Sequence, residues 1–328
     1  MQNKVILITG SNGEIGRALI QEFIKDKSNI IITIDLKESA NDFPVHESFC
    51  GSILDFQLIE TIHSKYEISE IYHLAAVLST TAEKDPTLSS QVNIEGTNNM
   101  FGLCMKQFKK YNHPILFFFP SSIAVYNTTN SKNKKIDENS HCNNHLTVYG
   151  KSKLASELNG VKAEKNNSID FRCIRFPGII SATSKPTGGT SDYAPEMIHA
   201  AANGKYYDCF VTPDSILPFI VMPDAIDAIE MLMTTAKKNL SSNIYNITSF
   251  SPTANDLFQK TLSFYPEFKV NYVLNQSRQK IINSWPNIIN DNLAQQDWGW
   301  VAKYNFHKSY TEYLIPSILT YYKQQGAK

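Results

Sequence analysis

The sequence predicts an α/β protein with a doubly wound parallel sheet and a smaller, interleaved C-terminal lobe. Three observations support this fold class. Short apolar runs alternate with helix-length segments, a glycine-rich turn joins the first run to the first helix, and the pattern loosens after about Gly178. Strands that are apolar on both faces need helices on both sides of the sheet, which is the arrangement of a doubly wound fold.

The strands are recognised as continuous apolar or β-branched runs. They are expected at Val5–Thr9, Asn29–Ile34, Ile71–Leu74, Ile115–Phe119 and Phe171–Phe176. The first helix is indicated by the helical spacing of Ile15, Leu19, Ile20, Phe23 and Ile24. A later helix and strand are expected at Asp224–Thr235 and Ile244–Ile247, and the polar stretch Asn127–Asn144 is predicted to be a surface loop.

The turn after the first strand has the pattern Gly-x-x-Gly-x-x-Gly, formed by Gly10, Gly13 and Gly16. Missing side chains let the backbone approach a pyrophosphate at the start of a helix. Asp35 closes the second strand about 20 residues later, where a carboxylate accepts from an adenosine ribose and repels a 2′-phosphate. The sequence therefore predicts a Rossmann-type sheet that binds NAD in preference to NADP.

A possible acid–base pair lies at the start of a later helix. Tyr149 and Lys153 are four residues apart and share one helix face, where a nearby ammonium favours a phenolate that can act as a base. Ser122 follows the fourth predicted strand, at the carboxyl end of the sheet, where its hydroxyl could hold a substrate oxygen. An ordinary surface pair and a turn serine are the alternative interpretations.

Charge and cysteine content argue against several classes of function. The 31 basic and 31 acidic residues balance, which gives no general attraction to nucleic acid or anionic membranes. The five cysteines contain no Cys-x-x-Cys pair, so no metal site is predicted. No apolar run is long enough to span a bilayer, and residues 1–5 lead directly into a strand. We expect a cytoplasmic protein, or one whose organellar presequence has been removed.

Several motifs together resemble the extended short-chain dehydrogenases, a superfamily that includes nucleotide-sugar epimerases. The first half carries the glycine turn, Asp35, the strand end His73–Ala76, Asn93 and the residues Ser122, Tyr149 and Lys153 in order. The second half is similar to the L-threonine 3-dehydrogenases of that superfamily. The motifs that carry this likeness are Arg175–Ser181, Gly188–Ala194, Met222–Ala225, Ser284–Pro286 and Asp297–Trp300.

The resemblance implies oxidation of the β-hydroxyl of L-threonine to 2-amino-3-ketobutyrate, with NAD reduced to NADH and no metal. It implies that Tyr149 is the catalytic base, that Lys153 lowers its pKa and contacts the nicotinamide ribose, and that Ser122 positions the substrate hydroxyl. The implied cofactor-binding residues are Gly10, Asn12, Gly13, Glu14, Ile15, Gly16, Asp35, Leu36, Ser52, Ile53, Leu74, Ala75, Ala76, Asn93, Pro120, Tyr149, Lys153, Phe176, Pro177 and Ile179. The implied substrate-binding residues are Ser79, Ser122, Tyr149, Gly189, Thr190 and Trp285.

Physical reasoning adds detail to this assignment. The Gly189-Thr190 turn could offer backbone amides and a hydroxyl to a carboxylate, and Trp285 could exclude water. We expect an NAD-binding domain over 1–178, with segments around 215–248 returning to it, and a substrate lobe mainly over 179–328. A homodimer formed through helices near Val92–Lys109 and Tyr149–Glu164 is also implied by the resemblance.

Four residues depart from the family pattern. Asn127 replaces the glycine after Val125-Tyr126, and Asn tolerates a left-handed backbone better than most residues. Glu14 places an anion in the glycine turn, Ser52 replaces an adenine-contacting Asp, and Ile216 replaces an arginine. None of these changes removes a catalytic group.

Two alternatives stay open at this point. A nucleotide-sugar epimerase or dehydratase would use the same Tyr-Lys pair, but it must neutralise a diphosphate, and only Lys185 and Lys205 lie between Ile180 and Pro223. A non-catalytic NAD-sensing protein would not need the intact Ser122, Tyr149 and Lys153.

Overall fold

The computed structural model describes residues 4–38, 43–128, 135–140, 142, 146–184, 186 and 188–326, with side chains up to residue 324. Its strands are β1 (Lys4–Thr9), β2 (Asn29–Asp35), β3 (Glu47–Cys50), β4 (Glu70–His73), β5 (Ile115–Ser122), β6 (Lys135–Ile136), β7 (Ile169–Phe176), β8 (Gly178–Ile180), β9 (Tyr207–Cys209), β10 (Phe219–Val221), β11 (Ile244–Asn246), β12 (Val270–Tyr272) and β13 (Ile288–Ile289).

The helices are α1 (Glu14–Phe23), α2 (Phe56–Lys65), α3 (Ser79–Lys84), α4 (Pro86–Ser90), α5 (Thr97–Tyr111), α6 (Val148–Glu164), α7 (Tyr193–Ala202), α8 (Met222–Thr234), α9 (Ala254–Leu262), α10 (Gln276–Ser284), α11 (Asn292–Trp298), α12 (Phe306–Lys308) and α13 (Ile315–Gly326). A π-helical turn, Gln91–Gly96, joins α4 to α5. In the part of the chain just described, no helix is both long and apolar enough to cross a bilayer.

The main sheet has seven strands in the order β11-β7-β5-β4-β1-β2-β3, which confirms the predicted doubly wound parallel sheet. The strand order reverses between β1 and β4, and ligands bind such sheets beyond the carboxyl ends of the strands at this point. The central strands β1, β4 and β5 are mostly buried, and Phe117 of β5 packs against Phe101 of α5 with ring centres 4.9 Å apart.

The predicted strands were found in place, with shifts of a few residues at their ends. The sequence analysis missed β3 because its residues alternate between partly and fully exposed at the sheet edge. The predicted loop over Asn127–Asn144 is partly wrong, since Lys135–Ile136 forms a short strand that pairs in parallel with Ile288–Ile289. Residues 129–134, 141 and 143–145 of that stretch lie outside the described ranges.

The chain divides into two compact units. The first comprises Met1–Val125, Val148–Arg175 and Ile229–Tyr245, and the second comprises Tyr126–Thr147, Phe176–Ala228 and Asn246–Lys328. In the second unit, the buried Asp224 carboxylate accepts hydrogen bonds from the backbone nitrogens of Lys303 and Tyr304 at 3.0 and 3.1 Å. The assignment of cofactor to residues 1–178 and of substrate to 179–328 stays a prediction.

Candidate active site

The glycine turn between β1 and α1 brings backbone into close contact with backbone. Gly10 has a φ of +68°, and a β-carbon there would lie 2.6 Å from the backbone nitrogen of Ala75. A β-carbon on Gly16 would lie 2.7 Å from the carbonyl oxygen of Gly10. Only glycine fits these positions without a backbone shift. Gly13, at the N-cap of α1, has no side chain to cover the first N–H groups of the helix, where an anionic phosphate binds favourably.

Asp35 ends β2 beside this turn. Its Oδ2 accepts a hydrogen bond from the backbone nitrogen of Asn12 at 2.9 Å, and its Oδ1 accepts one from that of Lys37 at 3.2 Å. The side-chain amide of Asn12 donates to the carbonyl oxygen of Lys37 at 2.9 Å. These bonds fix the carboxylate next to the glycine turn, and each of its oxygens retains a lone pair for a hydroxyl donor. The cradle and the carboxylate together fit a dinucleotide.

Two other predicted cofactor residues use their polar groups within the protein. Ser52 Oγ accepts from the backbone nitrogen of Leu54 at 3.1 Å, so it shapes its own turn. The side chain of Asn93 pairs with the backbone of Val77, accepting from its nitrogen at 2.7 Å and donating to its carbonyl oxygen at 3.0 Å. Their roles toward a cofactor stay predictions.

The remaining predicted cofactor residues lie at element ends. Glu14 and Ile15 begin α1, and Leu36 follows Asp35 with 72% of its surface exposed. Ile53 is buried and fills the space where Gly96 lacks a β-carbon. Leu74, Ala75 and Ala76 follow β4, and Pro120 lies in β5. Phe176 ends β7, Pro177 links it to β8, and Ile179 lies in β8.

Tyr149 and Lys153 lie one turn apart on α6, and Lys153 is bound to the carboxyl end of β5. The Lys153 Nζ donates to the carbonyl oxygen of Pro120 at 2.7 Å. The same atom lies 4.6 Å from the ring centre of Phe119 and 5.7 Å from that of Tyr149. An ammonium group is therefore held beside a phenol at the edge of the sheet where ligands bind in such folds.

Burial shifts the pKa values of both groups away from their charged forms. It raises the pKa of Tyr149 to about 12 and lowers the pKa of Lys153 to about 8, the latter against the opposing effects of Cys173 and Glu157. The direction of this shift is opposite to the lowering of the phenol pKa that was expected from Lys153, because burial disfavours the phenolate.

Two further residues shape the start of α6 and the end of β5. Glu83 of α3 accepts from the backbone nitrogen of Val148 at 2.7 Å, which places a carboxylate at the N-terminus of α6 just before Tyr149. Ser122 Oγ accepts from the backbone nitrogen of Ala124 at 3.2 Å, so this serine does form the turn contact of the alternative interpretation. Ser79, a predicted substrate residue, is buried at the start of α3. Sequence reasoning missed Glu83, because its partner lies 65 residues away.

A buried ion pair lies one helical turn beyond Lys153. Arg175 donates from Nε and from its second terminal nitrogen to the two carboxylate oxygens of Glu157, at 2.9 and 2.7 Å. Ser121, the neighbour of Ser122, donates to the same carboxylate. This bidentate arrangement fixes α6 against β5 and β7, since breaking a buried pair would leave an uncompensated charge.

In the second unit, the Gly188–Thr190 turn is built around Asp192. The Oδ2 of Asp192 accepts from the backbone nitrogens of Gly188 and Gly189 at 2.8 and 2.6 Å. The amide of Gly189, one of the groups expected to bind a substrate carboxylate, is therefore already used by Asp192, whereas the expected contribution of Thr190 stays a prediction. Thr190 is buried, with 3% of its surface exposed.

Arg278 of α10 also binds this turn. Its guanidinium donates to the carbonyl oxygen of Gly189 and lies 3.5 Å from the ring centre of Phe210. The count of bases between Ile180 and Pro223 missed this cation because it comes from a distant helix. Trp285 ends the same helix with 6% of its surface exposed, and its indole N–H is buried with no partner among the described residues.

Comparison with known proteins places these features in context. Residues 6–248 match the model of the NAD dependent epimerase/dehydratase family. The chain is 34% identical over 298 residues to the mitochondrial L-threonine 3-dehydrogenase of Bos taurus, covering 90% of this chain and 78% of the relative. It is 33% identical over 322 residues to an uncharacterized epimerase/dehydratase of Staphylococcus aureus, covering 96% and 97%. A solved structure of a monomeric L-threonine 3-dehydrogenase from a metagenome, in its apo form, superposes with a TM-score of 0.87 at 36% identity, covering 96% and 99%.

Proposed function

Because the chain belongs to the NAD dependent epimerase/dehydratase family, we propose that it is an NAD-dependent L-threonine 3-dehydrogenase. It would oxidise the β-hydroxyl of L-threonine to 2-amino-3-ketobutyrate. The observation that carries the proposal is the Tyr149–Lys153 pair beside the end of β5, in a chain that is similar over nearly its whole length to proteins of that name.

In this reaction, Tyr149 takes the proton of the β-hydroxyl while the hydrogen on the same carbon leaves as a hydride. The oxidised nicotinamide, when bound, supplies the hydride acceptor and a positive charge. That charge and the Lys153 ammonium both favour the Tyr149 phenolate, which burial disfavours by raising the pKa of the phenol to about 12. Ser122 is proposed to hold the substrate oxygen.

The choice of NAD over NADP rests on Asp35. Its carboxylate is fixed beside the glycine turn by the backbone of Asn12 and Lys37. A carboxylate in this position accepts from a ribose 2′-hydroxyl and repels a 2′-phosphate. Gly10, Gly13 and Gly16 are proposed to hold the pyrophosphate.

In the second unit, Thr190 and Trp285 are proposed to bind the amino acid. The unpaired indole N–H of Trp285 supports this role, since a buried donor without a partner gains a hydrogen bond from a polar ligand. The backbone amides of Gly188 and Gly189 are not included, because Asp192 occupies them.

We also propose a cytoplasmic homodimer. Met105 of α5 and Leu158 of α6 are 41% and 62% exposed, and these apolar side chains would be covered if the two helices paired with a second copy. Sedimentation of the purified chain distinguishes this assembly from a monomer such as the metagenome relative.

A substrate panel tests the proposal. We expect NADH from NAD and L-threonine, less from L-serine, which lacks the methyl group, and none from D-threonine, which has the opposite configuration at both the α- and the β-carbon. UDP-sugars should not be interconverted. The Tyr149→Phe protein in the same panel should lose the L-threonine signal. Conversion of a UDP-sugar without NADH formation from L-threonine would replace the proposal by the epimerase interpretation.

A further inference from the structure

A buried chain of hydrogen bonds passes through His73, a residue to which the sequence analysis gave no role. The backbone nitrogen of Ala75 donates to Thr9 Oγ1 at 3.2 Å, and this oxygen lies 2.8 Å from His73 Nδ1. On the other side of the ring, His73 Nε2 lies 3.0 Å from Thr97 Oγ1. Thr9, His73 and Thr97 are each no more than 1% exposed, so water does not compete for these bonds.

The direction of every bond in this chain can be assigned. Thr97 donates its only hydroxyl proton to the carbonyl oxygen of Asn93 at 2.7 Å, so it must accept from His73 Nε2–H. Burial, with a contribution from Lys153, lowers the pKa of His73 to about 3, and the ring is neutral at physiological pH. Its Nδ1 therefore carries no proton and accepts from Thr9. A single tautomer satisfies both ring nitrogens.

Beyond Thr97 the series of hydrogen bonds continues to the first turns of α6. The carbonyl oxygen of Asn93 also accepts from Ser156 Oγ at 2.8 Å. The side-chain amide of Asn93 donates to Ser152 Oγ at 3.1 Å, and Ser152 donates to the carbonyl oxygen of Tyr149 at 2.8 Å. Asn93 thus holds the helix segment that carries Tyr149 and Lys153.

The opposite end of the chain lies at the glycine turn. The backbone of Ala75, which starts the chain, is the backbone against which Gly10 packs so closely that no β-carbon fits between them. A histidine that only packs in the core would not need hydrogen bonds that connect the glycine turn with α6. Both ring nitrogens of His73 form hydrogen bonds, one on the side of the glycine turn and one on the side of α6.

We propose that His73 is a positioning residue that fixes the N-terminal half of α6 relative to the glycine turn. It acts through Thr97 and Asn93, and it thereby sets where Tyr149 and Lys153 lie with respect to the cofactor-binding turn. The catalytic meaning of this position rests on the proposed function, whereas the physical link between the two elements does not.

The test interrupts the hydrogen-bond chain at Thr97 with little change in side-chain shape. Thr97→Val removes the hydroxyl, and Thr97→Ser keeps it. If Thr97→Val does not fold, His73→Leu interrupts the hydrogen bonds at the ring instead. The matched control is Thr33→Val, since Thr33 is 2% exposed in the same sheet and donates to Ser48 Oγ at 3.0 Å, away from the chain. Two quantities are measured: amide hydrogen exchange of residues 148–156 with and without NAD, and kcat and KM with NAD and L-threonine.

We expect Thr97→Val to increase exchange over residues 148–156 by about 10-fold, because the local opening of this segment becomes easier. The same variant should lower kcat by about 10-fold with little change in KM, because a small misplacement of a catalytic group slows the chemical step. Thr97→Ser and Thr33→Val should resemble the wild type in both measurements.

The proposal is overturned if Thr97→Val affects exchange in this segment no more than Thr33→Val does. It is also overturned if kcat falls without faster exchange, since the effect would then not pass through α6. If the wild type does not oxidise L-threonine, the proposed function fails, and the exchange measurement alone decides whether His73 links the two elements.

Discussion

The burial of His73 predicts a loss of stability in acid. Burial, with a smaller effect of Lys153, lowers the pKa of His73 from 6.5 to about 3. Between these two pH values the unfolded chain binds a proton that the folded protein does not, so the free energy of unfolding falls as the pH falls through this window. At pH 5, about 1.5 pH units below the pKa in the unfolded chain, the loss is about 2 kcal/mol.

The assay is urea unfolding of the wild type and of His73→Gln at pH 7.5 and pH 5.0. Glutamine keeps a donor that can reach Thr97 but does not titrate, and the carboxylates titrate in both proteins. The wild type should therefore lose about 2 kcal/mol more free energy of unfolding than the variant between the two pH values. An equal loss in both proteins would refute the reasoning from burial.

Three other variants test the candidate site. Tyr149→Phe should bind NAD normally but lose roughly 10²-fold or more in kcat, because the proton acceptor is gone; turnover near that of the wild type would remove Tyr149 from its role. Asp35→Asn should narrow the ratio of kcat/KM for NAD to that for NADP by roughly 10-fold, since the repulsive charge is lost, and an unchanged ratio would place Asp35 away from the ribose. Gly10→Ala should abolish NAD binding in a fluorescence titration, because its β-carbon would overlap Ala75, whereas Gly102→Ala, with no described atom within 4 Å of the new β-carbon, should bind as the wild type does.

The fold was predictable to the extent that local pattern determines it. β1, β2 and β5 contain continuous apolar or β-branched runs, and the glycine turn marks where the first helix follows the first strand. β3 was not predictable, because an edge strand needs only one partner and its residues alternate in exposure. The pairing of β6 with β13 joins residues far apart in the chain, and no local signal indicates it.

The site was predictable in its residue types and not in its energetics. The spacing of Tyr149 and Lys153 is a local property of a helix, but the direction of the Tyr149 pKa depends on burial contributed by distant parts of the chain. The same holds for two contacts of the Gly188–Thr190 turn. Asp192 accepts hydrogen bonds from two of its amides, and Arg278 donates to the carbonyl oxygen of Gly189, and both depend on tertiary packing. Sequence reasoning identifies the groups that can react. Tertiary packing determines which of these groups already form hydrogen bonds within the protein.

The most direct test of the central claim follows the hydrogen on the β-carbon of the substrate. L-Threonine deuterated at that carbon is incubated with NAD and the protein, and the isotope in the reduced cofactor is measured by mass spectrometry. We predict that the reduced cofactor carries the deuterium and that 2-amino-3-ketobutyrate forms in equal amount. Reduced cofactor without deuterium, or no reduced cofactor under conditions in which NAD binds, would contradict oxidation of L-threonine by this protein.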